Sequence, residues 1–128
     1  MATFRSKGSN AERELVMMLW GSNFASVRAA GSGVSKFYCP DVIASNGYKV
    51  MAIECKSTKH KYQYFDPEQV RQLKEFSRIF KAEAWLAVKF SAEWKFFRPE
   101  DLKTTDKAMV VTRDNNESKL FLDLIKNA

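Results

Sequence analysis

The sequence predicts an α/β domain in which a mixed central β-sheet is flanked by helices. Two observations lead to this class. Apolar residues recur at helical spacing in separate segments, and short apolar runs typical of strands lie between and after those segments. The predicted order is αβββαββ, followed by a short strand and a terminal helix. A length of 128 residues fits one domain that spans 1–128.

The first predicted helix begins at Ser9 or Asn10 and ends near Trp20. Ser9 and Glu12 match the S-x-x-E capping box, which marks the start of a helix. Gly21 follows Trp20 and favours an end to the helix there. Around this helix the expected segments are a flexible basic arm over 1–8, a strand over 24–29 and a flexible loop over 31–38.

The next segment predicts a β-hairpin. Two runs with strand character, 41–45 and 48–57, are separated by Asn46-Gly47, a strong signal for a two-residue turn. Such a turn would place Ser45 opposite Tyr48 and Asp41 opposite Ala52.

The second half of the chain continues with alternating helix and strand signals. Asp66 followed by Pro67 is typical of a helix N-terminus. The expected elements are an extended segment at 62–65 after the basic turn 59–61, a helix to about 81, strands at 84–90, 94–98 and 109–112, and an amphipathic helix at 117–126.

Charge and composition indicate a polyanion as partner and exclude several metal chemistries. Lys and Arg number 21 against 15 Asp and Glu, a net charge of +6, which favours nucleic acid before an anionic membrane. A single histidine, His60, and two cysteines without C-x-x-C spacing argue against a zinc site. Neither a transmembrane run nor a secretory signal is evident, so we expect a cytoplasmic, nucleoid-associated protein without membrane contact.

The hairpin brings together a candidate catalytic set. Residues two apart on a strand share a face, so Asp41, Glu54 and Lys56 are expected on one face of the sheet, with the two acids as diagonal neighbours. Two close carboxylates repel each other, and a divalent cation removes that conflict. Oxygen ligands favour Mg²⁺ or Mn²⁺, and a lysine beside them suits phosphodiester hydrolysis. Glu12 is a third candidate, although the residues alone favour a capping role for it.

These residues carry a resemblance to the archaeal Holliday-junction resolvases, a branch of the PD-(D/E)xK nuclease superfamily with a restriction-endonuclease-like core. The similarity extends over about residues 5–100. Its segments are KGSNAEREL (7–15), VRAAGSG (27–33), PDVIA (40–44), IECKS (53–57), EFSR (75–78) and LAVK (86–89).

The resemblance implies an activity and assigns roles to residues. It implies a homodimer that binds four-way DNA junctions and nicks two opposed strands with Mg²⁺, for which Mn²⁺ can substitute, in DNA recombination and repair. Partner proteins are unknown.

The resemblance also assigns roles to residues. The implied metal ligands are Glu12, Asp41 and Glu54, and Lys56 is the catalytic lysine. Ser32 lies in a loop where some members carry a functional serine. With the basic residues that the charge pattern adds, the expected DNA-binding set is Arg5, Lys7, Arg13, Arg28, Lys36, Lys59, Lys61 and Lys89, and the expected dimer contacts are Phe76 and Phe80.

Three alternatives share some of these features. Another PD-(D/E)xK endonuclease, of restriction or repair type, would have the same active-site residues. A non-catalytic module for branched DNA would need no buried acids, and neither would a basic domain that binds protein partners. For the resolvase, hydrolysis is expected to release the 3′ oxygen and leave 5′-phosphate ends.

Overall fold

The computed structural model describes residues 4–29, 36–102 and 109–126, with side chains in the first range from residue 10 onward. Its helices are α1 (Phe4–Trp20), α2 (Pro67–Phe80) and α3 (Phe121–Leu124), with a short 3₁₀ helix at Pro99–Asp101. Its strands are β1 (Ala25–Arg28), β2 (Val42–Ser45), β3 (Val50–Thr58), β4 (Tyr62–Phe65), β5 (Glu83–Phe90), β6 (Glu93–Phe97) and β7 (Met109–Thr112).

The main sheet is mixed, and its longest strand lies at its centre. The strand order is β1-β2-β3-β5-β6, in which β3 and β5 are parallel and the other neighbours are antiparallel. The crossover between the two parallel strands contains α2, as such a connection requires. The predicted class, a mixed sheet flanked by helices, is confirmed.

Two hydrophobic cores cover the two faces of this sheet. On one face, Leu15 and Leu19 of α1 pack against Ile53 and Cys55 of β3. On the other face, α2 contributes Val70 and Leu73 to a core that contains Ala52. Because successive side chains of a strand point to opposite faces, Glu54 and Lys56 share the face of Ala52.

The β2–β3 hairpin differs from the predicted one by two residues. Ser45 pairs with Val50, not with Tyr48, so the connection has four residues. The Asn46 side chain explains this longer turn, because its Oδ1 accepts hydrogen bonds from the backbone N–H groups of Tyr48 (2.9 Å) and Lys49 (2.7 Å). A shift of two residues leaves every side chain on its predicted face, and it brings Asp41 opposite Glu54 rather than diagonal to it.

The first helix begins earlier than the capping box predicted. It starts at Phe4, so residues 4–8, which we expected in a flexible arm, belong to α1. Ser9 and Glu12 lie inside the helix, and the capping role considered for Glu12 is therefore wrong. Of the expected loop 31–38, the part up to residue 35 lies outside the described residues, and 36–38 have no regular secondary structure.

Two further differences concern the C-terminal half. The extended segment Tyr62–Phe65 is a strand, and it pairs with β7 in a separate two-stranded antiparallel sheet. The terminal helix is confined to Phe121–Leu124, because Lys119 instead forms a backbone bridge with Phe96 at the edge of the main sheet. The helix predicted over 117–126 is thus much shorter than expected.

The start of α2 gives a direct test of the local sequence signals. Asp66 is the N-cap, and its Oδ1 accepts a hydrogen bond from the Glu68 N–H at 3.0 Å. We expect Asp66→Ala to lower the free energy of unfolding by about 1 kcal/mol, equivalent to about 4 °C in Tm. Asp66→Asn keeps the acceptor and serves as the control. Equal thermal unfolding curves for Asp66→Ala and the wild type would contradict the capping role.

Candidate active site

Two carboxylates meet at the open end of the β2–β3 hairpin. Asp41 directly precedes β2, and its Oδ2 accepts a hydrogen bond of 2.9 Å from the backbone N–H of Cys55. Glu54 lies in the middle of β3 and is only 3% exposed. The hairpin therefore fixes Asp41 beside Glu54, and Glu54 has almost no access to solvent.

The burial of Glu54 changes its titration. Desolvation and the nearby charge of Asp41 raise the pKa of Glu54 to about 8. The Tyr38 hydroxyl opposes this rise, because it donates a hydrogen bond to Glu54 Oε1. Burial and the neighbouring acids raise the pKa of Tyr38 as well, so Tyr38 remains a donor.

Glu12 approaches this pair from α1, on the other side of the sheet. Desolvation and the charge of Asp41 raise its pKa, and Arg28 opposes the rise across a 3.7 Å gap between Arg28 Nε and Glu12 Oε2. Among the described residues, no three acidic, histidine or cysteine side chains converge closely enough to form a metal site. The three-carboxylate ligand set predicted from the sequence thus stays a prediction, and the acids that are brought together are Asp41 and Glu54.

An open cavity of about 790 Å³ joins these groups. Glu12, Asp41, Glu54 and Lys56 all line it, so the four principal candidates from the sequence reach one solvent-filled space. Lys56 is partly buried and close enough to Glu54 to lower the pKa of that acid slightly. Other residues at the wall are Cys55, Ser57, Thr58, Lys59, His60, Gln69 and Ser91.

The donors present fit a hard divalent cation. Asp41 and Glu54 offer oxygen atoms only, and the charge of Asp41 raises the cost of ionising Glu54. A divalent ion between them would remove that repulsion. Cys55 follows Glu54 in sequence, yet its thiol is buried in the core on the α1 face and its pKa is raised by that burial, so it is not a ligand to such an ion.

The predicted DNA-binding residues fall into three groups. Arg13, Lys36, Lys59 and Lys61 are exposed. Arg28 and Lys89 are engaged within the chain: Arg28 faces Glu12, and Lys89 Nζ lies 2.5 Å from Glu14 Oε2. Arg5 and Lys7 lie in α1 with their side chains outside the described part, and Ser32 is outside the described residues altogether.

The two predicted dimer-interface aromatics lie on α2. Phe76 packs against the core on the α2 face, and its ring stacks on that of Phe80 at 5.1 Å. Phe80 is half exposed, and Ile79 beside it is more exposed still. Among the described residues, none covers the exposed sides of Ile79 and Phe80.

Sequence reasoning missed Tyr38 and Gln69. Tyr38 lies in a loop without regular structure, and its contact with Glu54 depends on how that loop folds over the sheet. Gln69 reaches the cavity from the first turn of α2. Neither residue belongs to a local motif, so no signal in the sequence could have identified it.

The fold and the carboxylate pair define a class of protein. A mixed sheet that carries an acid before one strand, and an acid-x-lysine on the next, is the arrangement of the restriction-endonuclease-like, PD-(D/E)xK nucleases. The chain belongs to the archaeal Holliday junction resolvase family, whose model matches residues 3–128. The family expected from the sequence is confirmed, and membership of this nuclease family implies dependence on a divalent metal ion.

Relatives and solved structures agree with this membership. The crossover junction endodeoxyribonuclease Hjc of Archaeoglobus fulgidus is 45% identical over 104 residues, which are 80% of this chain and 76% of the relative. The crossover junction endodeoxyribonuclease Hje of Saccharolobus solfataricus is 40% identical over 116 residues, 88% of this chain and 83% of the relative. The solved structure of Archaeoglobus fulgidus Hjc, a Holliday junction resolvase, matches with a TM-score of 0.83 and 36% identity, over 93% of this chain and 95% of that one.

A bacterial homing endonuclease shares the fold alone. Its structure matches with a TM-score of 0.57 at 11% identity, over 94% of this chain and 83% of the other. Separately, the described helices include none that is long and apolar enough to cross a membrane.

The raised pKa of Glu54 predicts an unusual dependence of stability on pH. An acid that holds its proton more tightly when folded makes stability fall as pH rises from its ordinary pKa of 4.5 to its folded pKa of about 8. We therefore expect the Tm of the metal-free protein to fall between about pH 5 and pH 8, with Glu12 contributing in the same direction. The fall should be smaller in Glu54→Gln, and smaller in the wild type with Mg²⁺. Parallel Tm profiles for wild type and Glu54→Gln in EDTA would contradict it.

Proposed function

We propose that this protein is a Mg²⁺-dependent endonuclease that resolves four-way DNA junctions by nicking two opposed strands, in recombination and repair. The observation that carries the proposal is the Asp41–Glu54 pair beside Lys56 in one open cavity, within a chain whose relatives are named crossover junction endodeoxyribonucleases. Binding alone would not need a buried acid pair, because carboxylates repel DNA phosphates. Action on chromosomal DNA would place the protein at the nucleoid, in the cytoplasm.

Asp41 and Glu54 would hold the metal, and Glu12 would complete the ligand set from α1. When bound, Mg²⁺, or Mn²⁺ in its place, supplies a Lewis acid that polarises the phosphate and activates a water. Asp41 is already fixed by the Cys55 N–H at Oδ2, so its carboxylate has a defined direction. Because its pKa is raised, Glu54 favours the protonated form in the absence of metal, and it would have to lose that proton to bind the ion.

Lys56 would act on the reacting phosphate or on the attacking water. Its ammonium group stands two residues beyond Glu54 on the same face and lines the same cavity. A fixed positive charge there stabilises the negative charge that develops during the attack. The 3′ oxygen leaves, which gives 5′-phosphate and 3′-hydroxyl ends. A role for Ser32 stays a prediction.

Affinity for the junction would come from the basic surface around the cavity. Arg13, Lys36, Lys59 and Lys61 are exposed, and no acid among the described residues holds them in a short ion pair as Glu14 holds Lys89. Arg28 would act mainly on Glu12, next to the site. Contacts of this kind to phosphates are independent of sequence and weaken steeply with salt.

A cleavage assay tests this function. Purified protein is incubated with a four-way junction and with a linear duplex of the same arm sequence, with Mg²⁺ or with EDTA. We expect paired nicks in the junction only, lost in EDTA, and slowed about a hundredfold or more in Asp41→Asn while junction binding persists. Equal cutting of the duplex would overturn the substrate. Binding without cutting in Mg²⁺ and Mn²⁺ would indicate a binding module instead.

The homodimer is the second part of the proposal, and the half-exposed Phe80 supports it. Removing the Phe80 ring should cost little core packing, since Phe80 is half exposed and it is Phe76 beside it that packs against the core. We expect Phe80→Glu to convert a dimer to a monomer, measured by sedimentation. The variant monomer should still unfold in a cooperative thermal transition. Tyr48→Glu, at an exposed position in the β2–β3 turn, is the matched control. A Phe80→Glu variant that remains dimeric would place the interface elsewhere.

A further inference from the structure

An exposed row of rings extends from the rim of the active-site cavity across the small β4–β7 sheet. We propose that this aromatic stripe, defined as His60, Tyr62 and Tyr64, is a stacking site for DNA bases that are uncovered at a branch point. The inference rests on the proposed function, since it names the part of the branched substrate that this surface would contact.

The rings of the aromatic stripe are already arranged in a row. The rings of His60 and Tyr62 are 5.5 Å apart and tilted by 19°, and those of Tyr62 and Tyr64 are 5.4 Å apart and tilted by 75°. Tyr62 is 44% exposed and Tyr64 is 56% exposed. Large rings at this exposure retain free faces, and a free ring face is what a base can stack on.

The sheet beneath the stripe makes it a rigid surface and does not use the rings as core. Tyr62 and Tyr64 lie two apart on β4, opposite Thr112 and Val110 of β7, and therefore on the same face. The opposite face of this sheet supplies the buried side chains Phe65, Met109 and Val111. The packing of the sheet thus gives no reason for two tyrosines on the outer face.

The stripe is continuous with the catalytic cavity. His60 lines the same cavity as Asp41, Glu54 and Lys56, so the first ring of the stripe stands at its rim. From there the three ring centres extend at most about 11 Å, which corresponds to about three base steps at 3.4 Å. A strand with its scissile phosphate at the carboxylate pair would therefore pass within reach of the stripe.

The charge around the stripe favours DNA as the occupant. Lys59 and Lys61 flank His60 in sequence, and both are exposed. Asp114 and Glu93 are acids near this sheet, and both lie against Arg113. Arg113, and more weakly Lys61, lower the pKa of Asp114, so its charge is already balanced. Lysines interleaved with aromatic rings are typical of surfaces that hold a backbone electrostatically and bases by stacking.

Stacking on this surface would distinguish branched DNA from duplex. In a continuous duplex, both faces of each base pair are covered by its neighbours, and the rings have nothing to stack on. At the centre of an opened junction the last base pair of each arm loses one neighbour, and its face is uncovered. The aromatic stripe would therefore add affinity for junctions, whereas the lysines add affinity for both substrates.

Binding measurements on paired substrates test the inference. The proteins are wild type, the double variant Tyr62→Ala/Tyr64→Ala, the double variant Tyr62→Phe/Tyr64→Phe, and Tyr48→Ala as an exposed tyrosine in the β2–β3 turn, outside the stripe. Each is titrated in EDTA against a four-way junction and a linear duplex of the same arm sequence. Junctions with 2-aminopurine at the branch point, or in the middle of an arm, report on base stacking by fluorescence.

We expect the double alanine variant to lose tenfold or more of the affinity for the junction, with duplex affinity within about twofold of wild type. The phenylalanine variant keeps the rings and should bind the junction like wild type, as should Tyr48→Ala. The branch-point probe should respond to wild type, to the phenylalanine variant and to Tyr48→Ala, and not to the double alanine variant. A salt series should weaken both substrates together without abolishing the junction preference of the wild type.

Three results would overturn the inference. Unchanged affinity of the alanine variant for both substrates would show that the rings do not contact the branch point. An equal loss on both substrates, or a change in sedimentation instead of binding, would assign the rings to the DNA backbone or to a protein interface. A wild type without junction preference would overturn the proposed function as well, whereas the first two results leave it intact. The phenylalanine variant covers the case in which the alanine variant does not fold.

Discussion

The structure depends on one electrostatic constraint, the close approach of Asp41 and Glu54 at the open end of the β2–β3 hairpin. The backbone N–H of Cys55 fixes Asp41, and the central position of β3 in the sheet buries Glu54. The pKa of Glu54 rises to about 8 as a result, and that of Glu12 rises too. Tyr38, Arg28 and Lys56 each offset part of this unfavourable charge. A site that is destabilised without a cation is thereby prepared to bind one.

Two surfaces extend from this pair in different directions. The cavity leads past Lys56 to His60 and the aromatic stripe. In the other direction, Tyr38 contacts Glu54 with its hydroxyl and Phe76 with its ring, and Phe76 stacks on Phe80 at the exposed side of α2. The carboxylate pair thus lies between the surface that we assign to DNA and the surface that we assign to a second copy of the chain. Such an arrangement suits a dimer that cuts two related strands of one junction.

The parts of the fold and of the site that the sequence predicts are those specified by residues close together in the chain. Asp66-Pro67 marks the start of α2, because a cap acts within three residues. The predicted faces of the β3 side chains are correct although the hairpin register is off by two residues, because successive side chains alternate between faces. The start of α1 was misplaced because S-x-x-E also occurs inside helices. Pairing of β4 with β7, and the contact of Tyr38 with Glu54, join segments far apart in the chain, and a sequence pattern does not encode them.

The most direct test of the metal-site assignment is an anomalous difference map from a crystal grown with Mn²⁺. We expect a peak between the carboxylates of Asp41 and Glu54, with oxygen ligands at about 2.0–2.2 Å and the Tyr38 hydroxyl no longer bound to Glu54 Oε1. The position of Glu12 would then show whether it is a ligand. A fully occupied Mn²⁺ elsewhere in the molecule, with the Asp41–Glu54 pair free of metal, would contradict the central role of this pair.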